Sequence, residues 1–477
     1  MIKRKVASSK VNRTSSSHLR AIILVSAAAL LLKLFWLSSQ QGRGLLGADG
    51  ENYLEALVGL LEGGFFSEQG KLSFWPAGYP ILMWPLAELS VVNLPFFVGT
   101  LQSLIFTVSV AFFSFELSKS TLRKFTWPAF LLLSLSPTLT LNSVVIGYEV
   151  TSAALFLLVI TLYMRLIRTD KRSIFNWETF LAALSISVSS FMQPRIILLA
   201  IGILIPFAVY HFRGKAIPLF LSFSLFVVAI APAILIFRNV QAEGFAAIST
   251  NLGTTMNIGA GPKSTGGYSD AATGVPCELI EGNASEQDKQ KVYCVLKWYL
   301  DNPVPSLELF IKKFFFHWSP WFGPLSNGTM LRNPWLQVHP FAKTVEMQEG
   351  FAMVYGNLGR LFPGEWIFGS LISWVWILGS LGFLAYGFIV LRRRGGPSTF
   401  LAWALLIPVL LNTASSIGTI GDHRFRIPTL TLSLVLQLFG AYALFSRKSF
   451  RRGIDGPVRL ARGLNWKGGG QGDNLRS

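Results

Sequence analysis

The chain has 477 residues, 51% of them hydrophobic and 14% charged, with 39 Phe and 14 Trp. Apolar runs of bilayer-crossing length, about 20 residues each, recur along most of it, which excludes an ordinary water-soluble domain. The net charge of +18 is distributed by membrane side, as shown below, and this excludes a nucleic-acid footprint.

A basic arm, residues 1–20, leads into the first apolar run, 21–38. No small-residue cleavage site follows that run, so it reads as a retained span and not as a signal peptide. Further runs lie at 93–116, 126–142, 147–166, 177–193, 195–210, 216–237, 366–390, 398–412 and 427–445. Most of the Lys and Arg residues fall in the N-terminal arm, "SKSTLRK", "RLIRTDKR", "HFRGK", "LRRRGG" and the tail from Arg447. Only Glu116, Asp170, Glu178, Asp455 and Asp473 oppose them there. The positive-inside tendency makes these segments cytoplasmic, with both termini inside a multi-pass plasma-membrane protein. Attraction to anionic lipid accounts for the remaining excess of charge.

The expected class is an all-α polytopic membrane protein of about ten transmembrane helices. Its domains read as the arm 1–20, an N-terminal membrane module 21–237, an extracytoplasmic insert 238–365, C-terminal membrane helices 366–446 and a disordered cytoplasmic tail 447–477. The first external loop, 39–92, contains "GADGENYLEALVGLLEGG", an amphipathic helix with apolar positions at Tyr53, Leu57, Leu60 and Leu61. Asp49 stands where its carboxylate could cap that helix, and Glu51 in the first turn would suit the helix dipole. A capping carboxylate is also a rigidly placed one, so chemistry stays open beside the cap.

Glu149, in "NSVVIGYEVTSAALF", lies near the outer end of the fourth span, where an acid is costly unless it faces a cavity or a partner. Arg195 in "QPRI", Arg238 in "FRNVQ" and His423, Arg424 and Arg426 before the last span are also external. Snorkelling to lipid phosphates is the bland explanation for such arginines. The sharper one is a single outer cavity. There a carboxylate would act as general base, and arginines would grip a phosphate through charge-assisted hydrogen bonds. If "GDHRFRIP" is extended, Arg424 and Arg426 point the same way.

The insert reads as partly helical, with "SEQDKQKVYCVLKWYLDN" followed by "SLELFIKKFFFHWSPWF". The aromatics beside Lys312 and Lys313 suit the headgroup level of a membrane. The preceding "STNLGTTMNIGAGPKSTGGY" reads as loop. Cys277 and Cys294, the two cysteines, lie together on the oxidising side, where pairing is expected. Such a bridge would contribute roughly 3 kcal/mol in the chain-entropy model. There is no internal repeat, Walker loop, HExxH or zinc spacing.

In order, "ADGENYLEALVGLLEGG" with "FWPAGYPILMW", "RNVQAEGFAAISTNLGTTMNIGAG", "YLDNPVPSLELFIKKFFFHWSP" and "DHRFRIPTLTLSLVLQLFGAY" resemble GT-C glycosyltransferases. The likeness is to the polyprenyl-phosphate-sugar-dependent bacterial branch related to protein mannosyltransferases and the lipid A aminoarabinose transferase. It runs over most of residues 20–446. The resemblance implies an enzyme that moves a sugar from a polyprenyl-phosphate donor to a hydroxyl of a glycan, lipid or protein at the extracytoplasmic face, with inversion. It implies that Asp49 is the acid-base carboxylate and Glu149 a second acid. Arg195, Arg238, His423, Arg424 and Arg426 would serve the donor phosphate, with Glu51 and Tyr53 in support. Gly50 separates Asp49 from Glu51, a departure from the adjacent Asp-Glu pair of protein mannosyltransferases. No cofactor is implied firmly, and a divalent metal stays open. The competing classes are a lipid-linked-glycan flippase, for which mid-span charge is scarce apart from Lys33, and a non-catalytic membrane scaffold.

Overall fold

The computed structural model describes residues 2–39, 45–46, 49–264, 266–267, 274–278, 281–318 and 366–445, while the side chains of residues 2–17, Trp36, Ser39, Leu45, Leu46, Glu51, Leu141, 366–373 and His423 are outside that set. Among the described residues the regular elements are all helical apart from one two-residue strand pair. In chain order come α1 (Ile2–Ser39), β1 (Leu45–Leu46), α2 (Gly50–Gly63), α3 (Gly78–Leu89) and α4 (Leu94–Ser118). Then come α5 (Thr126–Leu135), α6 (Pro137–Asn142), β2 (Val145–Ile146), α7 (Glu149–Thr169), α8 (Trp177–Met192), α9 (Ile196–His211) and α10 (Ala216–Glu243). The insert supplies α11 (Leu252–Ile258), α12 (Ala284–Asp301) and α13 (Pro303–Trp318). The chain returns through α14 (Trp366–Arg394), α15 (Pro397–Gly418), a 3-10 turn (His423–Arg426) and α16 (Ile427–Phe445).

All ten apolar runs are helical, and seven helices among the described residues are long and apolar enough to cross a membrane. The run at 126–142 is divided. Ser136 has an extended ψ of 114° before Pro137, because the proline ring disfavours a helical residue ahead of it. At 177–210 the division falls at Gln193, Pro194 and Arg195, between α8 and α9. The insert departs from the sequence reading at a short helix. The Gly-, Ser- and Thr-rich stretch contains α11, whose Met256 is buried with Ala260 and Val295 of the insert's own small core. Asn283, and not the following Ser285, caps α12, in a reciprocal box with Glu286. Cys277 and Cys294 form a disulfide, with Cα atoms 6.0 Å apart.

At the centre is α7, the most buried of the spans, packed against α4, α8 and α16. Apolar burial alone does not fix how deep its ends lie. Charge does: Glu149 starts the helix, and Arg168 in its last turn binds Glu116 of α4 through Nε and Nη2 at 3.0 and 2.9 Å. The buried Glu178 of α8 pairs beside them with Lys171 at 2.9 Å. The end of α7 that the sequence assigns to the cytoplasm therefore carries paired charge.

The C-terminal helices α14 and α16 cross in close backbone contact. A Cβ on Gly440 would lie 2.0 Å from the Phe383 carbonyl oxygen, and one on Gly387 would lie 1.9 Å from that of Leu436. Small residues let membrane helices approach in this way, where packing and not hydrophobic transfer drives association. Gly440→Val is expected to force α14 and α16 apart and to cost on the order of 1–3 kcal/mol, as overpacking does. Thermal unfolding of the detergent-solubilised protein measures this; a variant melting with the wild type would contradict the close crossing.

Candidate functional site

The site begins with the smallest element of the fold. Leu45 and Leu46 pair in parallel with Val145 and Ile146. Asp49 follows the first strand by three residues and Glu149 follows the second by the same interval. The pairing thus delivers two acids from distant parts of the chain to one place. Gln102 of α4, fully buried, holds the second strand: its Nε2 donates to the Val145 carbonyl at 2.7 Å. Its Oε1 accepts from Tyr79 at 3.1 Å and Thr151 at 3.2 Å, and the Tyr79 oxygen accepts the Gly147 N–H at 2.9 Å. Every polar group of this buried network has a partner, which is what makes such a network rigid.

Asp49 occupies the N-cap position of α2 but makes no side-chain cap. Its Oδ2 instead lies 2.8 Å from Nη2 of Arg424. The cap expected from sequence gives way because an ion pair in this buried setting offers the carboxylate more than a neutral N–H does. Glu149 approaches the other edge of the same guanidinium, Oε1 to Nε 3.4 Å. That contact is an ion pair without hydrogen-bond geometry, since Nε has no hydrogen-bond partner. All three residues are 9% exposed or less. The Asp49 Oδ1 atom is buried and accepts no hydrogen bond. Asp49, Tyr53, Asn142, Gly147, Glu149 and Arg424 are among the residues lining a cavity of about 10 Å³. That is room for about one water molecule.

Burial, followed by the charges of Asp49 and Glu149, raises the Tyr53 phenol far above its ordinary range. Tyr53 therefore stays protonated and remains a hydrogen-bond donor beside the two acids. Arg424 is aimed by its own turn. Its backbone N–H donates to Asp422 Oδ1 at 2.8 Å, and Asn412 of α15 donates to the Phe425 carbonyl at 2.6 Å.

Arg195 joins the site's edge. Its guanidinium lies 3.9 Å from the Phe425 ring centre and donates to the Tyr148 hydroxyl at 3.1 Å, which also accepts from Gln193. Arg426 does not share Arg424's direction. Residues 423–426 form a 3-10 turn rather than an extended segment, so alternate side chains diverge, and Arg426 lies over Trp318 at 5.7 Å. Arg238 is not brought here either. Fully buried, it donates to the carbonyls of Phe65 and Ser67 and to Asn239 Oδ1, and it pairs with Glu243, so it fastens the loop after α2. The α2 backbone carries Glu51 and the 3-10 turn carries His423, but both side chains are outside the described residues. Among the described residues no group of three or more His, Cys, Asp or Glu could hold a metal ion.

Two residues that sequence reasoning did not place support the turn. Asp422 supplies the carboxylate just described. Lys313, read from sequence as a headgroup-level lysine, is fully buried and donates to the Thr419 carbonyl at 2.6 Å and the Tyr299 hydroxyl at 2.9 Å. Burial pushes its ammonium down to about 7. Gly421 permits this contact, because a Cβ there would lie 2.3 Å from the Lys313 Cα. A lone lysine in an aromatic segment carries no sequence signal for such a role.

No family model matches the chain, and no curated protein matches it. Among solved structures it is similar to the Archaeoglobus fulgidus oligosaccharyltransferase in its apo form, at 12% identity and a TM-score of 0.46, over 92% of this chain and 51% of that one. The same enzyme in complex with an inhibitory peptide and a dolichol-phosphate matches at 12% identity and a TM-score of 0.44, over 90% and 51%. This chain therefore spans about half the length of the structures it matches.

Asp422 yields a pH prediction for the site. Burial pushes its carboxyl up to about 7, against the pull of Arg424 and its backbone N–H and with the charges of Asp49 and Glu149 behind it. Between the ordinary value of 3.8 and about 7, the folded protein keeps a proton that the unfolded chain has lost. Stability from this group therefore falls as pH rises through that window and is level above it. Asp422→Asn keeps an acceptor for Arg424 and should flatten the decline in melting temperature between pH 5 and pH 7. An unchanged slope would remove Asp422 as its source.

Proposed function

We propose that this chain is an integral-membrane glycosyltransferase working at the extracytoplasmic face of the plasma membrane, with both termini in the cytoplasm. It takes a sugar from a polyprenyl-phosphate donor and passes it to an acceptor hydroxyl with inversion. One observation carries the reading: Asp49, which lines a small cavity, has one oxygen clamped by Arg424 and the other buried with no donor to it. A base needs that arrangement, with one oxygen fixed and one ready for the proton of an incoming hydroxyl.

In the proposed step the acceptor oxygen donates its proton to Asp49 Oδ1 and attacks the anomeric carbon. The bond from that carbon to the phosphate oxygen breaks as the new glycosidic bond forms, and the lipid phosphate leaves with the electron pair. Such a leaving group needs no proton, so a second carboxylic acid is not required for departure. Arg424 holds Asp49 by direct pairing, and Glu149 shares the same cation and holds it in place. Arg195 suits the phosphate side: it is half-buried over the Phe425 ring, and its hydrogen bond to Tyr148 uses one of five donors. Arg238 and Arg426, buried against other groups, have no part in this step. The charge pairs at the opposite end of α7 support the proposed orientation.

The test compares surface glycans by mass spectrometry in a strain lacking the protein, a strain restored with wild type and one restored with Asp49→Asn. The account expects the deletion and the Asn strain to lack the same sugar, since losing a general base costs roughly 10²–10⁴-fold in rate. Wild-type glycans in an Asn strain that expresses folded protein would overturn the assignment.

A further inference from the structure

The insert carries an apolar face that the fold does not use. On α13 Ser306, Leu309, Lys313 and Phe316 are among the buried positions, and the helix packs against the 3-10 turn and α15. On the opposite side Val304, Leu307 and Ile311 stand at three- and four-residue spacing, 76%, 61% and 49% exposed. Leu300 precedes them by four residues at the end of α12 and is 80% exposed. Large side chains at this periodicity mark a helix face with a partner. Water is a poor partner for four of them in a row.

The position of the stripe says what the partner is. Phe315, one turn beyond Ile311 on the same face, lies 4.6 Å from Trp374 between ring centres. Trp374 lies in the membrane-crossing helix α14, and its neighbours Val375 and Leu378 are 64% and 63% exposed. Exposed apolar residues in a membrane-crossing helix face lipid tails. The α13 stripe therefore runs directly onto a lipid-facing surface, at the end of α14 that also bears the insert.

We infer that α13 lies along the outer leaflet, with Leu300, Val304, Leu307 and Ile311 set into the boundary between headgroups and acyl chains. An amphipathic helix whose apolar face continues a lipid-facing surface is stabilised there by the area it removes from water. The buried side of the same helix holds Thr419 through Lys313. The lipid seat thus fixes the height of the turn that carries Arg424. The inference goes beyond the transferase reading and does not depend on the chemistry at Asp49.

The test uses the full chain in nanodiscs of phosphatidylcholine and phosphatidylglycerol. Cys277 and Cys294 are paired, so a thiol-reactive fluorophore reports only on an added cysteine. Leu307→Cys and Val304→Cys are labelled separately, with the exposed loop position Glu281→Cys as the aqueous reference. Spin-labelled lipid carrying its nitroxide near the headgroup should quench both α13 probes strongly, and iodide should quench them far less than the reference. Iodide access equal to the reference would overturn the inference, by leaving the face in water. Protection from iodide without lipid quenching would also overturn it, by assigning the face to a protein partner. Neither result would alter the glycan comparison for Asp49→Asn.

Discussion

The site depends on one guanidinium held between two carboxylates. Arg424 meets Asp49 at 2.8 Å and Glu149 at 3.4 Å, in surroundings where none of the three is appreciably wet. Removing charges from water costs several kcal/mol per ion, and only close pairing offsets it. The three residues come from the loop after α1, the start of α7 and the turn before α16, so their pairing ties the two ends of the membrane module together. Much of the surrounding structure serves that geometry. The strand pair sets the two acids in register, Gln102 and Tyr79 fix the second strand, and Asn412 with Asp422 aims the arginine.

The same constraint bears on function. Two acids share one cation, and the Asp49 oxygen that Arg424 does not hold has no hydrogen-bond partner. A flippase would need polar groups along a route through the bilayer. The buried charge of α7 and its neighbours instead collects at its ends, with Glu149 at one and Arg168 with Glu116 at the other. Lys33 of α1 is the mid-span exception, and it lies over the Phe106 ring at 4.5 Å.

The membrane helices were legible because their signal is mean hydropathy over about 20 residues, which needs no partner information. Asp49 and Glu149 were legible because an acid at a membrane boundary is expensive and demands a reason. Their meeting was not legible, since a two-residue strand has no periodicity to read. Arg424 and Arg426 diverge because period two holds for extended chain and the segment is a 3-10 turn. Arg238 shows a further limit. An external arginine that grips a phosphate and one that fastens a loop by its carbonyls look alike until the loop is folded. Lys313 was read by its aromatic neighbours, while the deciding feature was Gly421, more than a hundred residues away.

The central claim is that Arg424 and Asp49 are energetically one unit. A double-mutant cycle on thermal or denaturant stability, with Asp49→Asn, Arg424→Gln and the pair combined, tests it most directly. Breaking a buried pair from one side leaves the other charge uncompensated, at a cost of about 3–5 kcal/mol, whereas removing both charges avoids that penalty. The account predicts that the double variant is destabilised by less than the sum of the two single changes, with a coupling of at least about 1 kcal/mol, as contacting residues show. Additive losses would mean that the two side chains do not meet, and the site as described here would not exist.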